Sequence, residues 1–413
     1  MTPKTIDSLD EQLISAQTYA DPYPFYDRAR AEAPVYYSQA IDGWMLTRYV
    51  DVGEVLRDHE RFSNAGRMTL FTEKLPDSVR AEIGPLLEHF SRAILHVDPP
   101  QHTNTRNALQ QVFTKARMQR MQVRVQQLVD ELIDRAGKSG NMDVISDFGY
   151  PLAMSVLGEL LGLPRNEYDL YKQWSDDVGV RLFGQGKATV ESVATANASL
   201  AQLTDRLGRL IDECRQSPRD DVISGLAHVP DFTDKSLIST AITLVLAGHG
   251  TTMNLIGNSV HALLRYPDQM QRLKRDPSLI TTAIEELLRY DSSIQRLGRK
   301  TALDIELGGQ LIRKGDMVYP TMGAANRDPA EFTDPHRLDL KRSPNRHLSF
   351  GTGAHHCIGA ALARLQGSIA INTILQRCDD LQLATDTLHW EPHLWHRGMK
   401  ALPVRFKFRG GHG

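Results

Sequence analysis

Helical periodicity dominates this sequence and restricts the folds that are open to it. Apolar residues recur at intervals of three and four, the spacing that lets a helix bury one face. The pattern extends over residues 116–139, 151–163, 194–215, 236–265, 268–290 and 357–377. Strands do not alternate with these segments as they do in βαβ units. The periodicity therefore predicts a mainly α-helical fold.

Strand-like runs are short and lie between the helical segments. Residues 34–39 and 43–49 suggest a small hairpin, and residues 304–320 suggest a strand, a Gly-Gly turn and a second strand. Residues 401–408 suggest a late strand. We expect small peripheral β-sheets from these runs. Residues 1–19 and 409–413 are expected to be a loose N-terminal extension and a loose tail.

Composition excludes several classes of protein. The chain has 413 residues, of which 41% are hydrophobic, enough for a large core. Its 48 basic and 50 acidic residues nearly balance, which argues against nucleic acid as a partner. No signal peptide and no long apolar span is visible, so we expect a cytoplasmic protein without a membrane partner. The 3 cysteines are too few and too scattered for a disulfide framework, which fits a reducing cytosol.

The most specific local signal is residues 347–366, HLSFGTGAHHCIGAALARLQ. Cys357 begins a good helix, whose free N–H groups and dipole stabilise a thiolate. The glycines around it let backbone or a flat ligand approach the sulfur. The residues alone leave a nucleophile, a metal ligand and a buried structural cysteine open. A zinc site lacks a CxxC partner, and no base or oxyanion hole is identifiable for a catalytic cysteine.

The pattern F-G-x-G-x-H-x-C-x-G in this stretch resembles the heme-binding loop of the soluble bacterial cytochromes P450. Other stretches are similar to that family too: EELLRY at 285–290 contains a Glu-x-x-Arg pair, residues 325–342 resemble the segment before the heme loop, and residues 98–114 resemble a helix entry. The resemblance extends over residues 20 to 408. It implies one P450 domain over residues 1–413, with heme between the distal helix at 236–265 and the helix after Cys357.

The resemblance also implies a role for each matched residue. Cys357 is expected to be the axial thiolate ligand of heme b, which favours O–O cleavage. The residues expected to contact heme, through its propionates or its face, are His102, Arg106, Arg299, His355, Phe350, Gly351 and Gly359. A Glu286–Arg289–Arg337 triad is expected to support the core beside the heme. O2 is the expected co-substrate.

Residues 246–252, LAGHGTT, match the family's oxygen-binding stretch with one departure. Ala247, Gly248 and Thr251 fit the pattern A-G-x-(D/E)-T, whereas Gly250 replaces the acid that helps to deliver protons. Helical geometry turns His249 about 200° from Thr251, so we expect it to point away from the iron and to contact a neighbouring helix. Drift, proton delivery through substrate groups, a water relay through His249 or Thr252, and a reaction other than hydroxylation all stay open.

Substrate contacts are expected in several separated stretches, most of them apolar as a ligand cavity requires. The predicted pocket residues are Met68, Leu70, Phe71, Ile94, Thr243, Leu246, Ile294, Gln295, Leu297 and Trp395. Gln295 and Thr243 are expected to be polar contacts for the substrate. This mixture favours a medium-to-large, partly oxygenated compound of secondary metabolism.

The chain contains no flavin or iron–sulfur domain among its recognised motifs, so electrons are expected from NAD(P)H through a separate ferredoxin or flavodoxin and its reductase. Candidate basic contacts for that partner are Lys115, Arg117, Arg346 and Arg364. We expect a monomeric heme-thiolate monooxygenase acting on a small organic molecule. Because of Gly250, oxidative coupling, desaturation or peroxide-driven catalysis is the alternative, and a heme-based sensor without turnover is a further one.

Overall fold

The computed structural model describes residues 3–68, 75–181, 188–230 and 232–410. Contacts within the chain cluster into two compact units. Unit 1 consists of Met1–Phe62, Gln122–Ala153 and Thr251–Gly413, and unit 2 consists of Ser63–Met121 and Met154–Gly250. The single domain over residues 1–413 stays a prediction.

Helices account for most of the described chain, which confirms the mainly α-helical fold class. They are α1 (Pro3–Leu13), α2 (Ala16–Ala20), α3 (Tyr23–Glu32), α4 (Tyr49–Arg57), α5 (Asp77–Glu82), α6 (Gly84–Phe90), α7 (Gln101–Val112), α8 (Lys115–Gly137), α9 (Tyr150–Leu161), α10 (Tyr168–Ser175), α11 (Val190–Gln216), α12 (Val222–Leu226), α13 (Asp234–Gly248), α14 (Gly250–Arg265), α15 (Pro267–Arg275), α16 (Ile280–Tyr290), α17 (Met322–Ala325) and α18 (Ala360–Arg377).

The strands are short and form small sheets, as expected. They are β1 (Val35–Ser38), β2 (Gly43–Leu46), β3 (Phe62–Ser63), β4 (Asn141–Asp143), β5 (Arg299–Thr301), β6 (Ile305–Leu307), β7 (Gln310–Ile312), β8 (Met317–Pro320), β9 (Cys378–Leu383) and β10 (Pro403–Phe408). One sheet has the order β1-β2-β8-β5-β3, a second β4-β10-β9, and β6 pairs with β7 alone. The β6–β7 hairpin turns at Gly308 and Gly309, whose φ values of 60° and 75° suit glycine.

The first sheet helps to position the cysteine loop in unit 1. Strand β2 pairs in parallel with β8 and antiparallel with β1. Apolar side chains of this sheet pack with those of α4 and with Leu348, which is 4% exposed, in one buried cluster. Leu348 lies two residues before Phe350, so burial of this leucine anchors the start of the loop.

Unit 2 is organised around α11, the longest of its described helices. Its N-terminus is closed by a capping box in which Thr189 and Ser192 bond each other's backbone N–H groups. Leu200, Leu203, Leu207 and Leu210 are all buried at three- and four-residue spacing. The helix packs this stripe against neighbours that include α13.

Two segments that the periodicity predicts as single helices are divided in the structure. Residues 236–265 form α13 and α14, which are interrupted at His249. Residues 268–290 form α15 and α16, with a 3₁₀ turn at Pro277–Leu279 between them. Pro277 has no N–H to continue a helix, and the Asp276 side chain accepts from Ser278 N instead.

The expected loose N-terminal extension is corrected by the structure. Helices α1 and α2 cover most of residues 3–20. Leu9 and Leu13 are both 0% exposed and pack in a cluster with Phe25 and Tyr26. Burying two leucines offsets the cost of ordering the segment, a gain that the sequence pattern of so short a helix does not reveal.

Two helical stretches, Val144–Leu161 and Asp234–Arg265, are long and apolar enough to cross a membrane by length and composition. The first joins a π-helical turn at Val144–Gly149 to α9, and the second is the pair α13 and α14. Buried residues make up 67% and 50% of their most apolar windows. Core helices of soluble proteins pass the same test, so the evidence for a membrane span is weak.

Candidate functional site

The cysteine loop of unit 1 is closed by its own backbone. Cys357 N donates to Phe350 O at 2.9 Å, and Gly351 N donates to Leu348 O at 2.8 Å. Gly351 and Gly353 have φ values of 66° and 75°, which disfavour any residue with a Cβ. A Cβ at Gly353 would lie 2.9 Å from Arg57 Cα, so this glycine also lets the loop approach the backbone of α4.

Cys357 is exposed and lies three residues before the start of α18. The glycines beside it leave open space. A Cβ at Gly359 would meet only Cys357 Sγ, at 3.9 Å, and one at Gly351 would meet only His355 O, at 4.0 Å. A flat group can therefore approach the sulfur, and the loop fits a heme bound through a thiolate. Among the described residues, no cluster of His, Cys, Asp or Glu side chains offers an alternative metal site.

Phe350 is held by a charged network that the motif alone does not reveal. The Arg364 guanidinium lies 4.5 Å from the centre of the Phe350 ring and donates to both carboxylate oxygens of Glu285, at 2.6 and 2.8 Å. His347 Nε2 lies 3.0 Å from the same carboxylate. Burial alone would raise the pKa of Glu285, but hydrogen bonds from His347 and Arg364 outweigh it and lower the pKa to about 2.

A buried polar cluster fixes the chain just before the loop. The Ser292 and Ser349 hydroxyls lie 2.6 Å apart, and Asn326 Nδ2 donates to both at 2.9 Å. Asn326 Oδ1 accepts from Leu348 N at 2.7 Å. Single serines and asparagines give no sequence signal for such a cluster, because its members come from three separate segments.

The Glu286–Arg289 pair predicted from the Glu-x-x-Arg spacing is present and fully buried. Arg289 Nε and Nη2 donate to the two Glu286 oxygens at 2.7 and 2.9 Å, and both side chains are 0% exposed. Arg342 Nε bonds the same carboxylate at 3.2 and 3.1 Å, and Asn345 adds a bond at 3.1 Å. A buried carboxylate thus meets two guanidinium groups.

The third member of this triad was predicted wrongly. Arg337 is exposed, and only its carbonyl takes part, accepting from Arg289 Nη2 at 3.2 Å and Arg342 Nη2 at 3.3 Å. Arg342 supplies the second guanidinium. A turn precedes Arg337: Asp334 has a φ of 48°, and Arg337 N donates to Asp334 O at 3.0 Å.

The predicted propionate contacts lie in both units. In unit 1, Arg299 on β5 is 3% exposed and donates to Gly298 O at 2.8 Å, and His355 ends the 3₁₀ turn that precedes Cys357. In unit 2, His102 is buried and Arg106 partly buried, one turn apart on α7. The role of all four as propionate contacts stays a prediction.

The oxygen-binding stretch contains two glycines with different structural reasons. A Cβ at Gly248 would lie 2.7 Å from Leu157 Cδ1, so this glycine permits close packing of α13 on α9. At Gly250, none of the described residues lies within 4 Å of an added Cβ. A side chain at 248 would therefore force Leu157 to shift, whereas packing leaves room for a side chain at 250.

His249 occupies the break between the two helices. Its Nδ1 lies 3.0 Å from Val245 O, one turn earlier in its own helix. Burial lowers its pKa, so the ring is neutral near pH 7. The expected contact of His249 to a neighbouring helix stays a prediction.

The remaining distal residues differ in exposure. Ala247 is exposed and Leu246 partly buried in a helix that is otherwise largely buried, which fits an open face at this point. Thr251 is partly buried. The Thr243 hydroxyl donates to Ser239 O of its own helix at 2.8 Å, so its proton is not available to a substrate in this structure.

The other predicted substrate contacts differ in whether the structure describes them and in how exposed they are. Leu70 and Phe71 lie outside the described residues, while Met68 is partly buried and Ile94 is buried. Ile294, Leu297 and Trp395 are partly buried beside the core of unit 1.

The Gln295 side chain is hydrogen-bonded to other residues of unit 1, whereas a role as a polar contact for substrate was expected. Its amide accepts from Tyr26 Oη at 3.0 Å and donates to Ser292 O at 2.7 Å. Packing against Gly323 is tight, since a Cβ there would lie 2.0 Å from Gln295 Oε1. Both ends of the amide are therefore occupied within unit 1.

Two of the candidate docking cations serve structural ion pairs. Arg117 bonds Asp220 at 2.9 Å and its side chain is 12% exposed, and Arg364 bonds Glu285 as described above. The side chain of Lys115 lies outside the described set. Arg346 contributes its carbonyl to a hydrogen bond from Tyr49 Oη. A partner surface on these residues stays a prediction.

Comparisons with known proteins agree on one family. The family model described as Cytochrome P450 matches residues 216–388. "Cytochrome P450 monooxygenase PikC" of Streptomyces venezuelae is 36% identical, over 97% of this chain and 94% of that protein. "Polyketide biosynthesis cytochrome P450 PksS" of Bacillus subtilis (strain 168) is 33% identical, over 93% and 95%. The solved structure of P450BioI in complex with hexadec-9Z-enoic acid ligated acyl carrier protein superposes with a TM-score of 0.88 at 36% identity, over 94% of this chain and 100% of that one.

Proposed function

This chain belongs to the cytochrome P450 family and is therefore an oxidoreductase that carries heme on a cysteine thiolate, and we propose that it inserts one oxygen atom from O2 into a medium-to-large organic substrate. Electrons reach it from NAD(P)H through a separate ferredoxin or flavodoxin and its reductase. The enzyme acts in secondary metabolism, in the cytoplasm, as a monomer. The names of its relatives, which include polyketide biosynthesis, support this substrate class.

One observation carries the proposal: the loop that presents Cys357. Bound heme supplies the activation of O2, and a thiolate ligand favours cleavage of the O–O bond. The chain supplies an exposed sulfur ahead of the α18 N-terminus, beside glycines whose missing side chains leave space for a flat ring. His102, Arg106, Arg299 and His355 would hold the propionates, because cationic donors suit carboxylates.

Proton delivery is the point on which this chain differs from its family's pattern. The Thr251 hydroxyl would bind on the oxygen side of the heme, but the neighbouring residue is Gly250, where the family pattern has an acid. Space beside Gly250 leaves room for water, and a neutral His249 is bonded to Val245 O. We infer that water, ordered by Thr251 and by polar substrate groups, conducts the protons.

Gly250 also favours a second candidate function, an oxidative coupling, desaturation or peroxide-driven reaction. Of these, a peroxide-driven reaction would need less proton delivery at this position, because hydrogen peroxide already carries the two protons that O2 has to acquire. Product mass separates the two: oxygenation adds an oxygen atom, and coupling or desaturation removes a pair of hydrogen atoms. Turnover with peroxide in the absence of any reductase would favour the second candidate.

The thiolate assignment is tested by the reduced carbon monoxide complex. The wild type should show the red-shifted Soret band of a thiolate-ligated heme, and Cys357→Ser should lose it. Cys378→Ala is the matched control, since Cys378 is buried in unit 1 away from the loop and should leave the band intact. A histidine-type spectrum in the wild type would overturn the assignment, and the same spectrum in Cys357→Ser as in the wild type would exclude this cysteine.

A further inference from the structure

Arg296 is a buried cation whose donors are mostly unused. Its residue is 3% exposed, and its Nε and Nη1 have no hydrogen-bond partner. Nη2 lies 3.5 Å from Tyr26 Oη, at the limit of a hydrogen bond. A guanidinium group removed from water without partners is costly, so this arrangement calls for an anion or other acceptor.

Three other buried arginines of unit 1 have acceptors supplied by the chain itself. Arg289 pairs with Glu286, Arg397 pairs with Asp291, and Arg327 donates to Tyr290 O. Among residues 3–68, 75–181, 188–230 and 232–410, no carboxylate lies within 4.0 Å of the Arg296 guanidinium. Arg296 therefore differs from them in lacking an acceptor supplied by the fold.

The groups around Arg296 are neutral. Burial lowers the pKa of His393 to about 3, and the charges of His396 and Arg296 act in the same direction. Burial raises the pKa of Tyr19 and of Tyr36, with the Arg296 charge opposing the rise in each. These titratable neighbours are phenol and imidazole groups, which do not neutralise the charge of the guanidinium.

Arg296 also lies on a segment expected to contact substrate. Ile294 and Leu297, both partly exposed, flank it closely in sequence. Gln295 N donates to Trp395 O at 2.8 Å, which ties this segment to another predicted pocket stretch. Because the Gln295 amide is already bonded, Arg296 is the group of this segment with donors left to bind a ligand.

We propose that Arg296 binds a carboxylate of the substrate, so that this enzyme prefers organic acids to their neutral counterparts. The inference rests on the proposed oxygenase function. A planar carboxylate accepts readily from the guanidinium nitrogens, and Tyr26 Oη lies at the edge of the same group. A heme propionate has the same chemistry, so the experiment must distinguish the two sources of carboxylate.

The test uses the heme-loaded enzyme and the spin-state shift on ligand binding. Probes are acid and methyl ester pairs of a fatty acid, a terpenoid acid and an aromatic acid. At least one acid should bind the wild type about 10-fold or more tightly than its ester, as charged hydrogen bonds imply. Arg296→Gln should reduce that ratio to near 1 through weaker acid binding, and Arg296→Lys should retain part of it. Arg313→Gln, an exposed arginine of the β6–β7 hairpin region, should leave it unchanged.

Two further measurements decide among roles for Arg296. Arg296→Met should raise the thermal midpoint of the ligand-free enzyme, because it removes an uncompensated buried cation, whereas a framework role predicts a lower midpoint. Heme content should be unchanged in Arg296→Gln and in Arg296→Met. Loss of heme with an unaltered acid–ester ratio would assign the residue to a propionate and overturn the proposal. The proposal is also wrong if no acid of the panel binds the wild type better than its ester. If the reduced carbon monoxide complex of the wild type lacks the red-shifted Soret band, the proposed function itself is refuted.

Discussion

Replacing Arg342 with glutamine should destabilise the protein by about 2–4 kcal/mol, while Arg337→Gln should change its stability by less than about 0.5 kcal/mol. The two arginines lie five residues apart on one segment. Arg342 Nε donates to both Glu286 oxygens, and its Nη1 donates to Thr333 O at 2.7 Å. Its side chain is 11% exposed, whereas Arg337 is exposed and contributes a carbonyl that glutamine keeps.

The magnitude follows from what Glu286 retains. In Arg342→Gln the buried carboxylate still pairs with Arg289, so the loss stays below the ~3–5 kcal/mol of an uncompensated buried charge. One charged hydrogen bond contributes about 1.5–3 kcal/mol, and the carbonyl contacts of Arg342 add about 1 kcal/mol. Arg289→Gln removes the closer partner of Glu286 and should cost more than Arg342→Gln.

Equilibrium urea unfolding of the heme-loaded protein, followed by far-UV circular dichroism, measures these differences. A lower midpoint with an unchanged slope reports a change in stability alone. Comparable losses in Arg337→Gln and Arg342→Gln would refute the argument, because they would give the exposed side chain the role assigned to the buried one. A loss below about 1 kcal/mol in Arg342→Gln would equally contradict it.

Three more predictions concern the loop and the oxygen-binding stretch. Gly353→Ala should lower the free energy of unfolding by about 1–3 kcal/mol and weaken heme retention, because Gly353 has a φ of 75° and an added Cβ would approach Arg57 Cα. The matched Gly250→Ala should stabilise the protein by about 0.5–1 kcal/mol, and equal effects of the two variants in thermal unfolding would contradict the packing argument. Glu285 has a pKa lowered from 4.5 to about 2, so its contribution to stability is present above pH 4.5 and is lost as the pH falls toward 2. Glu285→Gln should flatten the pH dependence of the urea midpoint over that window, and an unchanged profile would show that the His347 and Arg364 contacts together contribute nothing. Gly250→Glu should raise the ratio of product formed to reductant consumed, since an added Cβ at this position meets none of the described residues outside its own helix backbone and chain neighbours. Unchanged or lower coupling would refute an impaired proton relay at this position.

Local sequence patterns were sufficient where the determining contacts are local. The six periodic segments became helices because a repeated apolar face specifies burial wherever it packs, and the Gly308-Gly309 pair specified its turn through backbone freedom. The stretch around Cys357 likewise carries its family resemblance in adjacent residues, whereas those residues without the resemblance left three roles for the cysteine open.

Only the tertiary structure distinguishes residues whose local sequence does not reveal their contacts. Arg337 and Arg342 lie five residues apart on one segment, and only the folded chain shows which guanidinium reaches Glu286. Helix propensity alone gives Gly248 and Gly250 the same cost, and the position of Leu157 separates them in packing. The burial of Leu9 and Leu13, the commitment of Gln295 and the unused donors of Arg296 depend on partners distant along the chain. Such contacts depend on which residues the fold brings together. A periodic pattern shows that a residue is buried, but it does not show which residue packs against it.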